Sequence, residues 1–442
     1  MTGIYKAYDL RGVVGKEINE DVAMQIGKAF GTFKQGKVFV GGDCRETTPE
    51  LKKAFIAGLV STGCKVIDIG VASTPLINFC SGNYNACGVV VTASHSAKKY
   101  NGFKLYDENG IPLSYETGIG ELEKIVERGE FKQGDGSVEV FNPREDYTTH
   151  LIGSLGMTCA KLKVVVDCMN GAGSLINPFV LEKLGVTVLK IRCNEDGDFP
   201  DSGPNPSDEN LTELKQKVVE TGSDIGFGFD GDADRLTVVN EQGSVIEPKN
   251  VFSLLVKNAA LDNENLKVVH DTLTSRSVDD VIVGVGGEPL VCRVGHTYVS
   301  QMALENGAQL SGELSGHYFF KETFYNDDAL FASMKLIQYL IKQGISISKT
   351  LEVLPVYFSN GIRVEVNGDA KQIVNQLTNE FAEKYGEIDT LDGVKVSFEN
   401  GWMLFRASNT GPKISIAYES KNKDEFDKID GNVKKILERI RL

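Results

Sequence analysis

Apolar positions along this chain recur with two periods. Short, β-branched runs read as buried strands at Lys37–Val40, Lys65–Ile69, Cys87–Val91, Lys163–Asp167, Ser223–Phe229, Leu236–Val239, Lys267–His270 and Tyr318–Phe320. Between them lie stripes at helical spacing. Asn19 caps a stripe of Val22, Ile26 and Phe30, and Thr48-Pro49 starts one of Leu51, Phe55 and Leu59. Ser207 precedes Leu211, Leu214 and Val218, and a further helix begins after Asn250. After Asp327 come Leu330, Met334, Ile337 and Ile341, ending at Gly344, a C-terminal cap signal. Strand–helix–strand alternation at this spacing predicts α/β layers with largely parallel sheets, repeated as three similar units.

The last stretch changes period. Val394, Val396 and Phe398 alternate, Asn400-Gly401 is a hairpin turn, and Trp402, Leu404, Ile414, Ile416 and Tyr418 alternate again. A closing helix carries Phe426, Ile429, Val433, Ile436 and Ile440 on one face. That predicts a small antiparallel α+β domain, with Trp402 packing in its hairpin. Two shorter signals concern turns. Ala7–Gly12 reads as a turn with Arg11 at its tip, and Asn101-Gly102 as a turn folding Lys104 back toward Ser94. The polar, Gly-rich stretch Lys132–Asn142 reads as the first boundary.

Composition narrows the partners. At 442 residues the chain exceeds one ordinary core, and 41% hydrophobic with 24% charged residues is globular. A net charge of −14 argues against nucleic acid and anionic membrane, while leaving room for a local cationic site that binds a small anion. The eight cysteines form no Cys-x-x-Cys pair and mostly flank apolar runs, so reduced core thiols are expected. No run has the length of a signal peptide or a membrane span, which makes the cytoplasm the expected compartment.

The chemistry lies in loops after strands. Thr92–Lys104 places Ser94 and His95 among Lys98, Lys99 and Lys104; a hydroxyl amid cations can carry a phosphoryl group, whereas taken alone the stretch is a solvated basic loop. Asp230, Asp232 and Asp234 alternate with Gly231 and Ala233, so a tight loop can converge them on one hard cation. A calcium hand is excluded by Arg235 at its glycine position and by the strand that follows. The pattern Gly226-x-Gly228-x-x-Gly231 lacks the helix a dinucleotide site needs. Gly312–His317 offers Glu313 and Ser315 for sugar hydroxyls and His317 for protons. Arg406-Ala-Ser408-Asn409-Thr410 supplies a guanidinium, hydroxyls and an amide, a phosphate cradle. His95, His296 and His317 all fall in such loops.

In this order the motifs resemble those of the α-D-phosphohexomutase superfamily over nearly the whole chain. Thr92-Ala-Ser-His is similar to its phosphoserine loop, Asp230–Arg235 to its magnesium loop, Gly312–His317 to its sugar loop and Arg406–Thr410 to its phosphate loop; Ala7–Gly12 and Val294-Gly-His-Thr match too. Glu313-Leu314-Ser315 is closest to the phosphomannomutase/phosphoglucomutase branch, since phosphoglucosamine mutases carry Gln at the Leu314 position and Ser-Gly-Thr where this chain has Ser408-Asn409-Thr410. Ser96-Ala97 and Gly411-Pro412 depart from the family's usual Asn-Pro and Glu-Pro.

The resemblance implies three α/β/α domains and a C-terminal, TATA-binding-protein-like α+β domain around one cleft, with units at 1–142, 143–245, 246–354 and 355–442. It implies an isomerase that interconverts hexose 6-phosphate and hexose 1-phosphate, mannose and/or glucose, through hexose 1,6-bisphosphate as intermediate and activator. By the same resemblance Ser94 is expected to be the phosphorylated nucleophile, and Ser94 with Asp230, Asp232 and Asp234 to hold one Mg²⁺ per chain. Lys104, Arg11 and His317 are the acid/base candidates. Tyr8, His95, Arg235, His296, Glu313, Ser315, Arg406, Ser408, Asn409 and Thr410 are expected to bind substrate. A monomer or homodimer is expected. The rival readings are a phosphoglucosamine mutase, a phosphosugar phosphatase and a non-catalytic phosphosugar-binding protein.

Overall fold

Four apolar sheets organise the chain, each following from the period of its strands. The structure, a computed structural model, describes residues 3–157, 161–408 and 413–440. The first sheet contains β1 (Leu10–Val13), β2 (Lys37–Gly42), β3 (Lys65–Val71), β4 (Cys87–Val91), β5 (Tyr100–Tyr106) and β6 (Ser137–Val140), in the order β1-β5-β4-β2-β3-β6. Strand β4 is buried at every residue, which explains its unbroken apolar run. Each valine so buried stabilises the fold by about 1.5–3 kcal/mol before entropy is counted.

The second sheet contains β7 (Lys163–Asp167), β8 (Thr187–Ile191), β9 (Ile225–Phe229), β10 (Leu236–Asn240) and β11 (Val245–Ile246), ordered β11-β10-β9-β7-β8. The third contains β12 (Lys267–Asp271), β13 (Glu288–Cys292), β14 (Leu310–Gly312), β15 (Tyr318–Phe320) and β16 (Asn326–Asp327), ordered β13-β12-β14-β15-β16. In all three, a strand with a parallel neighbour on one side has an antiparallel neighbour on the other: β4 between β2 and β5, β9 between β7 and β10, β14 between β12 and β15. The shared plan is therefore one of topology, and it repeats without a residue-level repeat. The fourth sheet, β17 (Phe358–Glu365), β18 (Val394–Ser397), β19 (Gly401–Ala407) and β20 (Lys413–Ser420), is antiparallel throughout and packs against helices Ala370–Tyr385 and Lys423–Ile440.

Several sequence expectations are corrected. Leu10–Gly12 is strand, pairing with β5, so Arg11 projects from a sheet edge and not from a turn tip. Asn101-Gly102 lies inside β5, and a Cβ on Gly102 would collide with the Leu10 carbonyl of β1; the glycine marks a close strand approach. Thr48 is the first helical residue, after Thr47, and its hydroxyl donates to Asp43 Oδ1 at 2.7 Å instead of capping. The helix expected after Asn250 starts at Pro248. Ile341 is 38% exposed, on the outer side of helix Ala329–Gln343. Ser137–Val140, inside the stretch read as the first boundary, is an exposed edge strand parallel to β3.

Trp402 lies on the sheet face opposite the fourth domain's core, and ties that domain to the third. Its Nε1 donates to Glu419 Oε1 at 2.8 Å, which also accepts from the Arg276 N–H at 2.7 Å. Lys395 lies 4.3 Å above the Trp402 ring and donates to the Thr272 carbonyl. The seven described cysteines are free, five of them buried, with Cys44 and Cys193 half-buried; Cys159 lies outside the described residues. Among the described residues no helix is long and apolar enough to cross a membrane.

Candidate active site

The three junction strands each end in one of the candidate loops. Ser94 follows β4, Asp230–Arg235 follows β9, and Glu313–His317 follows β14. The chain must reverse there to pair antiparallel, so each loop is short and held at both ends. The loops also bind each other. Leu236 N donates to Gly316 O at 3.0 Å, and Thr74 N to Asp232 O at 2.9 Å. A Cβ on Gly231 would lie 2.9 Å from Ser94 O, so the absent side chain lets the first and second loops close up.

Ser94 has φ 50°, a left-handed conformation costly for serine and set by its surroundings. Its N–H donates to Thr92 Oγ1 at 2.9 Å. Arg45, buried and outside every motif of the sequence, clamps the loop: Nη2 donates to Ser94 O at 2.6 Å and Ser96 O at 2.7 Å, and Nη1 to Ala97 O and Tyr100 O at 3.2 Å. Asp43 Oδ2 accepts from Arg45 Nε at 3.0 Å and from Thr92 Oγ1 at 2.8 Å. The one signal for this clamp is an Asp-x-Arg after the end of β2. Thus oriented, Ser94 Oγ donates to Asp230 Oδ2 at 2.8 Å and lies 3.1 Å from His95 Nδ1.

Asp230, Asp232 and Asp234 are buried, with one carboxylate oxygen of each within 4.8 Å of the others. Lys104 reaches them from β5: its Nζ donates to Asp232 Oδ2 at 2.8 Å and to Asp234. A strand, and not the turn expected to fold Lys104 toward Ser94, delivers its ammonium to these aspartates. Burial and the neighbouring Asp234 and Asp232 push the Asp230 carboxyl well above its usual range. Burial works against Asp234 too, yet Lys104 and His317 hold it well below. Oδ1 of Asp232 is buried without a hydrogen-bond partner, and Oδ1 of Asp234 faces the His317 ring at 3.4 Å. Three converging carboxylates, one with a buried unpartnered oxygen, fit a hard divalent cation. Asp234, His317 and Asp327 form a second close group. There burial is outweighed by Asp234 and Glu313, which hold His317 up to about 10.

His317 Nδ1 is 3.0 Å from Glu313 Oε2 and 2.8 Å from Ser315 Oγ, while its Nε2 is 3.4 Å from Asp234 Oδ1 and 3.2 Å from Arg235 Nε. Asp327, missed in the sequence, faces Nε2 at 3.8 Å; burial and Asp234 push it up to about 7. Its only sequence signal is an acidic pair before a helix. The other two histidines differ from His317. Burial, with Arg235 and Arg11 nearby, lowers His95 to about 3; burial, with Lys104 and His317, lowers His296 to about 4. Both are neutral imidazoles. The His296 ring lies 6.1 Å from His317 and 5.8 Å from Tyr8, whose hydroxyl donates to Val294 O at 2.6 Å. Arg11 donates to Ser96 Oγ at 2.9 Å and pairs with Asp9. The first three units thus converge their candidate residues on Ser94 and the three aspartates. Arg406, at the end of β19, has its Nε on Asp392 Oδ2 at 2.7 Å; Ser408 N donates to Lys413 O. Asn409 and Thr410 lie outside the described residues.

Comparison with known proteins matches this arrangement domain by domain. Models of the phosphoglucomutase/phosphomannomutase alpha/beta/alpha domains I, II and III match residues 3–133, 145–243 and 247–357, and the C-terminal domain model matches 362–436. A phosphomannomutase/phosphoglucomutase of Pseudomonas aeruginosa is 35% identical, covering 96% of this chain and 93% of its own. A protein named probable phosphoglucosamine mutase from Methanococcoides burtonii is 34% identical, covering 95% of both. A crystal structure of a phosphoglucomutase/phosphomannomutase family protein from Burkholderia thailandensis superposes with a TM-score of 0.88 at 31% identity, over 99% of this chain and 97% of that one. On domain content, full-length identity and fold together, this chain belongs to the phosphoglucomutase/phosphomannomutase family.

Proposed function

We propose that the protein is a phosphohexomutase that interconverts hexose 6-phosphate and hexose 1-phosphate through a phosphorylated Ser94. The observation that carries this reading is the hydroxyl of Ser94, held 2.8 Å from Asp230 beside two further aspartates and Lys104. Phospho-Ser94 gives its phosphoryl to the free sugar hydroxyl: the serine Oγ–P bond breaks, the sugar O–P bond forms, and the hydroxyl proton leaves. The hexose 1,6-bisphosphate turns in the cleft and returns its other phosphoryl to Ser94. Asp230, Asp232, Asp234 and a Ser94 phosphate oxygen would hold one divalent cation, Mg²⁺ by its preference for oxygen donors, which when bound neutralises charge on the transferring phosphoryl.

The chain's own groups divide the remaining work. Burial opposes charge on Lys104 and Arg11, but Asp232 and Asp234 hold Lys104 protonated and Asp9 holds Arg11, so both steady negative charge and donate to the released serine oxygen. His317 exchanges the sugar proton. Asp234 and Glu313 together favour its protonated form, from which it can donate to the sugar oxygen. Glu313 and Ser315 grip sugar hydroxyls; neutral His95 and His296, with Tyr8 and Arg235, orient the sugar. Arg406 and Ser408, with Asn409 and Thr410, hold the phosphate that does not react. Product analysis with glucose, mannose and N-acetylglucosamine 1-phosphates, each with and without a hexose 1,6-bisphosphate primer, tests the reading. Release of inorganic phosphate without isomer would make it a phosphatase. Preference for the glucosamine series, as the name of the Methanococcoides relative suggests, would make it a phosphoglucosamine mutase.

Two expected results follow from the grip. Arg406→Ala raises KM about 100-fold with kcat changed less than tenfold, because a spectator phosphate is bound equally in ground and transition states. A large fall in kcat at unchanged KM would place Arg406 at the reacting phosphate instead. Sugar discrimination is weak at C2. A site that anchors neighbouring hydroxyls and accepts the sugar in two orientations leaves C2 unread, so kcat/KM for mannose 1-phosphate and glucose 1-phosphate fall within about two orders of magnitude. A ratio beyond about 10⁴ would mean that some residue reads C2 directly.

A further inference from the structure

The Val294–Gly295 backbone collects bonds from three domains. The Val294 carbonyl accepts from the Tyr8 hydroxyl of the first domain at 2.6 Å. The Val294 N–H donates to Asp392 Oδ2 of the fourth domain at 2.8 Å. The next N–H, of Gly295, donates to Glu313 Oε1 of the sugar loop at 3.1 Å. Gly295 itself has φ 139°, and a Cβ there would meet the Tyr8 ring at 2.5 Å, so the segment is closed tightly against the first domain. The residue after it is His296. Asp392 Oδ2 is also the atom that takes Arg406 Nε at 2.7 Å. One carboxylate oxygen therefore joins the arginine of the fourth-domain loop to the segment that carries His296 and is bonded to Glu313.

The local backbone is built for this pairing. Gly393, directly after Asp392, has φ 94°, and any Cβ on it would overlap the Phe405 carbonyl and approach the Arg406 Cα at 2.9 Å. The bend into β18 thus lies flat on the Arg406 backbone and sets the carboxylate beside the guanidinium. The two side chains are only 17% and 10% exposed, so solvent screens the pair weakly. Holding a guanidinium by its Nε fixes the plane of the fork, and the fork is what grips a phosphate.

We infer that Asp392 is a positioning residue, which orients Arg406 for the substrate's phosphate and couples that grip to the Val294–Gly295 segment and so to the sugar loop. The inference rests on the proposed role of Arg406 in phosphate binding. It requires Asp392 to act through Arg406, so their effects must not multiply.

The test is a double-variant cycle on the full-length protein with glucose 1-phosphate, using Asp392→Ala, Arg406→Ala and both together. Loss of one charge-assisted hydrogen bond corresponds to about a 10- to 100-fold change. Asp392→Ala is expected to raise KM by that factor with kcat within about threefold, and in the Arg406→Ala background to add less than about threefold. Asp392→Asn, which keeps an oxygen for the Val294 N–H and loses the charge, is expected to fall between. It carries the same cycle if the alanine variant does not fold. An unchanged KM, penalties that multiply in the double variant, or a fall in kcat larger than the rise in KM would overturn the inference. Calorimetric titration with glucose 1-phosphate reads the same cycle without turnover. A wild-type chain that binds the sugar phosphate but does not isomerise it sinks the mutase reading while the tie between Asp392 and Arg406 is still measured. A chain that binds no sugar phosphate overturns both.

Discussion

Ser94→Ala is expected to lower mutase turnover by at least about 10³-fold, with KM little changed, because the hydroxyl is the atom that carries the phosphoryl between half-reactions. Thr92 Oγ1 is engaged with Asp43 and the Ser94 N–H, so it offers no nucleophile in the same place. Alanine meets the same left-handed backbone as serine at φ 50°, and Arg45 bonds the carbonyl at 94 and not the side chain, so the loop should keep its shape. Two measurements check this. Intact-mass and peptide analysis should find phosphate on Ser94 in the purified protein and none in the variant. Steady-state assays with a bisphosphate primer should not rescue the variant. A Ser94→Ala protein with full activity, or a wild type never modified at Ser94, would remove the covalent relay.

Withdrawal of divalent cations should be comparably severe. Asp232→Asn or Asp234→Asn should cut turnover by on the order of 10²–10³-fold, since each removes an anionic ligand from a site whose task is charge neutralisation. The structure also gives a readout separate from catalysis. Three buried carboxylates face Lys104, Arg235 and His317, and Oδ1 of Asp232 lacks a partner. Added Mg²⁺ should therefore bind the folded state and raise its melting temperature in proportion to the logarithm of concentration, while the two variants respond less. Activity unaffected by a chelator, together with a melting temperature indifferent to Mg²⁺, would overturn the metal assignment.

Much of the site was legible because its residue types are locally anomalous. Three aspartates at alternate positions, or a serine and a histidine at the end of an unbroken valine run, are hard to explain as ordinary packing. Arg45 and Asp392 escaped notice for the opposite reason. A single arginine or aspartate in a polar loop is common, and each acts on atoms 49 to 55 residues away for the Ser94 loop, or 98 residues away for Val294. Asp327 is legible only after folding brings β16 against the sugar loop, where burial makes its carboxyl unusual.

The sequence by itself determined the elements and their order. Period-2 and period-3.6 patterns are properties of neighbouring residues, so the strands ending at Val91 and Phe229, the helix capped by Gly344 and the antiparallel fourth unit could all be read locally. Tertiary structure decided what each short polar signal meant. Asn101-Gly102 has the residues of a turn, yet the approach of β1 needs a glycine there and the pair runs straight through a strand. Ile341 continues an apolar stripe, yet the core ends before reaching it. Lys104 reaches the aspartates because β5 pairs with β4 in a register that sets Lys104 opposite Val90, and the second domain packs its acidic loop against that edge. Pairing and packing join residues far apart in the chain, and neither leaves a periodic trace in the sequence.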